Sequence, residues 1–201
     1  MYQRLIIPAL VLAALLSACG GGQSQQQAPA AASAPAAQAV FTPGEGVTIQ
    51  VLVDTISSPR KQLTVSLDSV DLTITYGSPS IKGRALWGGL VPYGEVWRTG
   101  ANEATTFQVS APVKIGGQTL PAGTYALFTI PAEGDWTLIF NSVHDQWGAY
   151  DYKEAQDVLR AKVTPVKADA SQETMEFNVV GKREVQIRWG DLVVPFAVEP
   201  A

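Results

Sequence analysis

Apolar and polar residues alternate along most of this chain after residue 47, and this two-residue period limits the possible folds more than any other feature. From Leu63 to Leu67 every second residue is apolar, Asp68-Ser69 then offers a turn, and the alternation resumes from Val70 to Tyr76. A period of two puts alternate side chains on opposite faces of an extended strand. The pattern therefore predicts a β-hairpin over residues 63–76.

The same alternation continues toward the C-terminus, with turn residues at short intervals. Gly116-Gly117, inside the segment 113–120, indicates a second hairpin. Only residues 153–159 have a pattern that could form a helical turn or two. Many short strands without alternating helices are typical of an all-β fold, so we expect an antiparallel β-sandwich or barrel-like domain. Further strands are predicted over residues 125–130, 136–140, 158–166, 174–180, 184–189 and 192–198.

The N-terminal 19 residues have the features of a bacterial lipoprotein signal. Arg4 precedes an unbroken apolar run, Leu5 to Leu16, and the run ends in Leu16-Ser17-Ala18-Cys19. A membrane-spanning helix needs about 20 apolar residues, so this shorter run fits a cleaved signal peptide. The last four residues resemble the lipobox of bacterial lipoproteins. The resemblance implies that residues 1–18 are removed and that Cys19, the only cysteine, is acylated and holds the protein on a membrane.

The residues after Cys19 bear on location and on domain organisation. Gly20 does not resemble the aspartate that retains lipoproteins at the inner membrane, so we expect an outer-membrane lipoprotein that faces the periplasm. Residues 19–46 are almost wholly Gly, Gln, Ala, Pro and Ser, which cannot bury enough apolar surface to offset the entropy of ordering. We therefore predict an acylated cysteine and a disordered linker over 19–46, followed by a single domain over 47–201.

Composition argues against several classes of function. The net charge of −4 gives no electrostatic attraction for nucleic acid, so no nucleic-acid partner is expected. One cysteine excludes an intrachain disulfide. His144 is the only histidine, which leaves zinc binding and Ser-His-Asp catalysis poorly supported. The sequence predicts neither a metal site nor a cofactor.

The alternation fails over one long segment, residues 77–104, which is rich in Gly, Trp and Arg. Long loops inside compact domains are often functional. This segment contains the run Trp97-Arg98-Thr99-Gly100-Ala101-Asn102-Glu103, and Trp147-Gly148 follows later. These pieces resemble a bacterial family of envelope proteins of unknown function, and the similarity extends from about Ser58 to the C-terminus. The resemblance implies an envelope location and supplies no catalytic residues.

The same segment contains most of the candidate binding residues. Arg84 and Arg98 could hold a carboxylate or phosphate, and Asn102 could orient it. Trp97 could stack on a sugar or aromatic ring, and Glu103 is the one candidate for an acid or base. The predicted ligand-binding residues are Arg84, Trp97, Arg98, Asn102, Glu103, Tyr125 and Trp147.

Three functions fit these residues. The expected one is a non-catalytic binding module for a small molecule, a glycan or a protein. The second is an envelope hydrolase that acts on glycans through Glu103 with Asp145 or Asp151. The third is a scaffold, in which the arginine and glutamate of the motif pair with each other. A concave pocket with Arg98 and Glu103 exposed to solvent would favour binding, and burial and mutual pairing of both residues would favour the scaffold. Two carboxylates across an open cleft would favour the hydrolase.

Overall fold

The computed structural model describes residues 42–201. The expectations for the signal peptide, for acylation of Cys19 and for residues 20–41 of the linker lie outside the described residues. At the end of the predicted linker, the Gly44 amide donates to Asn178 Oδ1 at 2.8 Å and so contacts the domain. Across residues 42–201 no helix combines the length and the apolar character that crossing a membrane requires.

The part of the chain that the structure describes is built from antiparallel strands and contains no α-helix, so the predicted all-β fold is confirmed. The strands are β1 (Thr48–Val53), β2 (Arg60–Leu67), β3 (Val70–Gly77), β4 (Thr105–Val109), β5 (Val113–Ile115), β6 (Gln118–Leu120), β7 (Gly123–Ile130), β8 (Trp136–Asn141), β9 (Asp157–Val163), β10 (Val166–Val180), β11 (Glu184–Ala197) and β12 (Glu199–Pro200). A sheet of seven strands has the order β1-β2-β3-β4-β7-β8-β9, β10 pairs with β11, and β12-β5-β6 form a small third sheet.

Both predicted hairpins are present. β2 and β3 pair from Leu67 opposite Val70, and Asp68 in the turn between them has a φ of 54°. Gly116 and Gly117 join β5 to β6 with φ values of 56° and 77°. Two successive positive φ values are what a tight two-residue hairpin turn requires.

Three local predictions differ from the structure. The helical turns expected over 153–159 reduce to one 3₁₀ turn, Glu154–Gln156, after which the chain enters β9 directly. The strand expected over 158–166 ends at Val163, and β10 begins at Val166. The two strands expected on either side of Gly190-Asp191 are one strand, β11. Gly190 has a φ of 58°, so it produces an irregularity within the strand instead of ending it.

The main core lies between the seven-stranded sheet and the long β10–β11 hairpin. Tyr76 of β3 packs its ring edge on Phe177 of β10, with 4.9 Å between ring centroids. Phe107 of β4 and Phe196 of β11 make a second contact between the layers at 6.3 Å. This two-layer arrangement buries the apolar face that the alternation predicts.

A smaller apolar cluster forms around Phe128 and Ile139, with Ala104 and Ala126. Their neighbours in sequence, such as Leu127, belong to the main core. Because successive residues of a strand face opposite sides, the small cluster lies on the other face of the large sheet. Val96, Ala149 and Tyr152 cover it, so two connecting segments pack on that face.

Candidate functional site

The 78–104 loop, which joins β3 to β4, is hydrogen-bonded to strands on both sides. Near its start, Ile81 donates its amide to the Glu173 carbonyl at 3.0 Å, and Met175 donates to the Pro79 carbonyl at 2.9 Å. Near its end, Trp97 and Thr129 exchange backbone hydrogen bonds of 2.8 and 2.9 Å. The loop therefore acts as a fixed wall of the domain.

Residues 98–104 leave the large sheet and return to it. Trp97 lies opposite Thr129 of β7, and Thr105, the first residue of β4, lies opposite Leu127 of the same strand. Trp97 thus occupies the position next to β7 that β4 leaves free. The Thr105 amide donates to the Arg98 carbonyl at 3.2 Å and closes the base of this excursion.

Several residues of the motif hold the excursion in shape. The Thr105 hydroxyl donates to the Thr99 carbonyl at 2.8 Å. A Cβ on Gly77 would lie 2.1 Å from the Ala101 carbonyl oxygen, and one on Gly100 would lie 2.9 Å from the Gly77 oxygen. Only glycine permits backbones to approach this closely. These motif residues have a structural role that involves no ligand.

Tryptophan side chains form a cluster beneath the loop. Trp87 packs edge-on against Trp136 and Trp189, with centroid distances of 4.9 and 5.9 Å. Trp97 stacks on Trp189 at 5.9 Å, and its indole N–H donates to the Gly100 carbonyl at 3.1 Å. Trp97 is only 8% exposed, so its ring face is not available to stack on a ligand, and the side chain instead forms the floor of a site.

A cavity of about 500 Å³ opens above this floor, which we call the Arg98 cavity. Four of the seven predicted ligand-binding residues line it. It is also lined by apolar residues of the loop and by the exposed Tyr150. The lining residues used below are Arg84, Leu90, Val91, Glu95, Trp97, Arg98, Asn102 and Tyr150.

Arg98 is the unusual group in this cavity. Its side chain is partly buried, and within residues 42–201 it forms no salt bridge and no hydrogen bond. Its Nε is fully buried and has no partner there. Burial lowers the pKa of Arg98, an effect that Tyr150 partly offsets, although an arginine remains charged at neutral pH. The cavity therefore holds a partly desolvated cation that forms no salt bridge with any residue of 42–201.

Arg84 and Asn102 are constrained by other contacts. Arg84 donates from Nε to the Ile81 carbonyl at 2.8 Å and from Nη2 to the Ser80 carbonyl at 2.6 Å, which occupies much of its guanidinium. Asn102 adopts a φ of 63°, a conformation that asparagine tolerates better than most residues. Its carbonyl accepts the Gly148 amide at 3.0 Å, which attaches the 146–150 segment beside the cavity.

The other three predicted residues do not line the cavity. Glu103 Oε2 lies 2.7 Å from Arg60 Nη1 of β2, in an ion pair whose carboxylate side chain is 42% exposed. Trp147 forms a backbone bridge with Glu103, and its side chain is 58% exposed. Tyr125 belongs to the main core, where burial raises its pKa and its hydroxyl donates to the Pro121 carbonyl at 2.9 Å.

The structure adds residues that the sequence pattern did not single out. Ser58 comes from the connection before β2, and Trp189 comes from β11. Glu95 is the one carboxylate among the described residues that line the cavity. Glu95 lies only three residues from Arg98, so its proximity was visible in the sequence. No local sequence pattern predicts that Ser58 or Trp189 lines the Arg98 cavity, because only the folding of the chain brings them to it.

Comparison with known proteins places the domain in a family. No curated protein and no solved structure matches this chain. A family model matches residues 58–198, which include the whole 78–104 loop. This range is almost the same as the one over which we expected the family resemblance, from about Ser58 to the C-terminus. The chain therefore belongs to the family described as Protein of unknown function (DUF2911).

Proposed function

We propose that the domain binds a small anionic molecule in the Arg98 cavity and does not catalyse a reaction on it. The observation that carries this proposal is the partly buried Arg98 guanidinium, whose Nε has no partner among the described residues. A buried donor without an acceptor is destabilising, and a charged acceptor would form strong hydrogen bonds with it. An anionic ligand in the cavity would give this guanidinium a charged partner, which the described residues do not supply.

The chemistry of the lining suggests the kind of anion. The planar guanidinium of an arginine matches a carboxylate or a phosphate group. Leu90, Tyr150 and the small exposed part of Trp97 provide apolar contacts for the rest of the molecule. A volume of about 500 Å³ is in the range of small-molecule sites. We therefore propose a ligand with one anionic group and an apolar or aromatic body.

The geometry favours this function over the two alternatives. Hydrolysis of a glycan uses a pair of carboxyl groups, whereas Glu95 is the one carboxylate among the described lining residues and Glu103 lies outside the cavity. A scaffold role would pair Arg98 with Glu103. Glu103 instead pairs with Arg60, and Arg98 makes no salt bridge within residues 42–201.

We further propose that this binding module is a lipoprotein of the outer membrane, facing the periplasm. Support comes from the apolar run Leu5 to Leu16 and from Cys19 directly behind it. Mass spectrometry of the mature N-terminus tests this proposal. We expect an acylated Cys19 and no such modification in Cys19→Ala, while an unmodified cysteine in the wild type would contradict it.

Isothermal titration of the full-length chain in nonionic detergent tests the binding proposal. The probes are inorganic phosphate and benzoate, which carry the two anionic groups. Arg98→Met should weaken binding at least about tenfold, because hydrogen bonds to a charged group contribute roughly 1.5–3 kcal/mol. Arg183→Met is the matched control, since Arg183 lies on the surface beside Asp68. Glu103→Gln should bind like the wild type.

Two results would contradict the proposal. The first is the absence of saturable binding for both probes. The second is equal binding by the wild type and Arg98→Met, because the anion would then bind elsewhere. A loss of binding in Glu103→Gln but not in Arg98→Met would instead support a site built around the Arg60–Glu103 pair.

A further inference from the structure

A second cavity, of about 480 Å³, lies on another side of the tryptophan cluster, and we call it the Trp87 cavity. Trp87 and Tyr93 of the 78–104 loop line it. Glu133 comes from the β7–β8 turn, and Asp191 comes from the irregular part of β11. None of these four residues lines the Arg98 cavity. The two cavities are therefore separate sites.

The walls of the Trp87 cavity are fixed by contacts outside it. The Gly94 amide donates to the Pro131 carbonyl at 2.8 Å and attaches the loop to the β7–β8 turn. Thr164, between β9 and β10, donates its hydroxyl to Asp135 Oδ1 at 2.6 Å. A site that is already formed loses little conformational entropy when a ligand binds.

The charge of this cavity is negative. Glu133 and Asp191 are both exposed, and neither forms a salt bridge within residues 42–201. No lysine, arginine or histidine is among the described residues that line the cavity. Two carboxylates without a counter-ion along one concave surface attract cations.

Aromatic side chains form the adjoining wall. The Tyr93 ring packs against Gly88, where a Cβ would lie 3.2 Å from Tyr93 Cε2, so it lies next to Trp87 in the loop. Tyr93 is 38% exposed. Tryptophan and tyrosine rings attract organic cations through the negative charge on their faces. Across residues 42–201 no group of three or more His, Cys, Asp or Glu side chains could hold a metal ion.

We infer that the Trp87 cavity binds a small organic cation, in which an ammonium group carries short apolar substituents. The carboxylates of Glu133 and Asp191 balance its charge, and Trp87 with Tyr93 contacts its apolar surface. A compact metal ion would leave most of a 480 Å³ cavity unfilled and has no ligand set there. The inference does not depend on anion binding in the Arg98 cavity.

Titration calorimetry of the full-length chain in nonionic detergent tests this inference with choline chloride. Neohexanol, the uncharged carbon analogue of choline, is the matched probe. We expect saturable binding of choline and none of neohexanol. Asp191→Asn and Tyr93→Leu should each weaken choline binding roughly two- to fivefold, because each removes one charged or cation–π contact at an exposed side chain. Asp169→Asn is the control, because Asp169 is exposed on β10 and lines neither cavity. Arg98→Met should bind choline like the wild type.

Absence of choline binding would overturn the inference. Equal binding of choline and neohexanol would overturn it as well, because the cavity would then recognise only apolar shape. Unchanged choline binding in both Asp191→Asn and Tyr93→Leu would also overturn the inference, because the cation would then bind outside the Trp87 cavity. A final arm adds phosphatidylcholine as mixed micelles with the same detergent. If they displace bound choline, the ammonium belongs to a lipid headgroup, and if they do not, it belongs to a free compound.

Discussion

Replacing Arg98 by methionine should leave the domain at least as stable as the wild type when no anion is present. Methionine keeps the unbranched apolar stem of arginine and removes the guanidinium. The buried Nε of Arg98 has no partner in the described part of the chain, so the substitution removes an unsatisfied polar group and breaks no salt bridge seen there. Because functional sites commonly trade stability for activity, such a gain would support a functional role for Arg98.

The size of the effect follows from the burial of this group. An unsatisfied buried donor costs roughly 1–3 kcal/mol of unfolding free energy. Because Arg98 is only partly buried, the lower end applies, and Arg98→Met should gain about 1 kcal/mol. For a domain of this size, such a gain corresponds to a rise in Tm of roughly 2–4 °C.

Differential scanning calorimetry in an anion-poor buffer measures this difference, with Arg183→Met as the control for loss of a surface charge. Anion at 100 times the wild-type Kd should then reverse the order, because it adds about 2.7 kcal/mol to the wild type but, with binding weakened about tenfold, only about 1.4 kcal/mol to Arg98→Met. A variant that melts several degrees below the wild type without anion would refute the reasoning. Arg98 would then stabilise the fold, as the scaffold alternative requires.

Two further predictions concern the frame of the site. Gly77→Ala places a Cβ 2.1 Å from the Ala101 carbonyl oxygen, so it should lower the unfolding free energy by about 1–3 kcal/mol in urea denaturation. Gly134→Ala, with open space around it, should change little, and equal effects would refute the close-packing argument. Burial, followed by the hydrogen bond to Asp157, raises the pKa of Tyr152 from 10.0 to about 12. As the pH rises, the unfolded chain therefore loses the phenolic proton of Tyr152 before the folded chain does. The contribution of Tyr152 to the unfolding free energy is complete below pH 10 and is lost as the pH rises through about 12. Tyr152→Phe should reduce the fall in unfolding free energy over that range, and an unchanged slope would contradict it.

The strands that the sequence predicts are those defined by local pattern. Two segments of alternating apolar and polar residues with a turn between them, as in residues 63–76, are enough to predict a hairpin. Both strands and the turn then lie in one short segment of the chain. The local pattern does not determine the role of Gly190. A glycine with a positive φ can end a strand or produce an irregularity inside one, and the long pairing of β11 with β10 decides for the second.

In the candidate site too, contacts between residues close in sequence could be predicted, and contacts between distant residues could not. Trp97, Arg98 and Asn102 lie within six residues of one another, so their proximity in the structure could be predicted from the sequence. The partner of Glu103 is Arg60, which lies on β2 and can be found only from the register of the sheet. Tyr125 shares the aromatic character of a ligand contact, but the alternation along β7 puts it in the main core.

The most direct test of anion binding observes the Arg98 side chain itself. In a ¹⁵N-labelled chain the Nε–H resonance of Arg98, assigned by its absence in Arg98→Met, reports whether this donor acquires an acceptor. On titration with phosphate or benzoate, we expect a saturable shift of this resonance, while that of Arg183 stays constant. An Arg98 resonance that does not respond to either anion would contradict the proposed function.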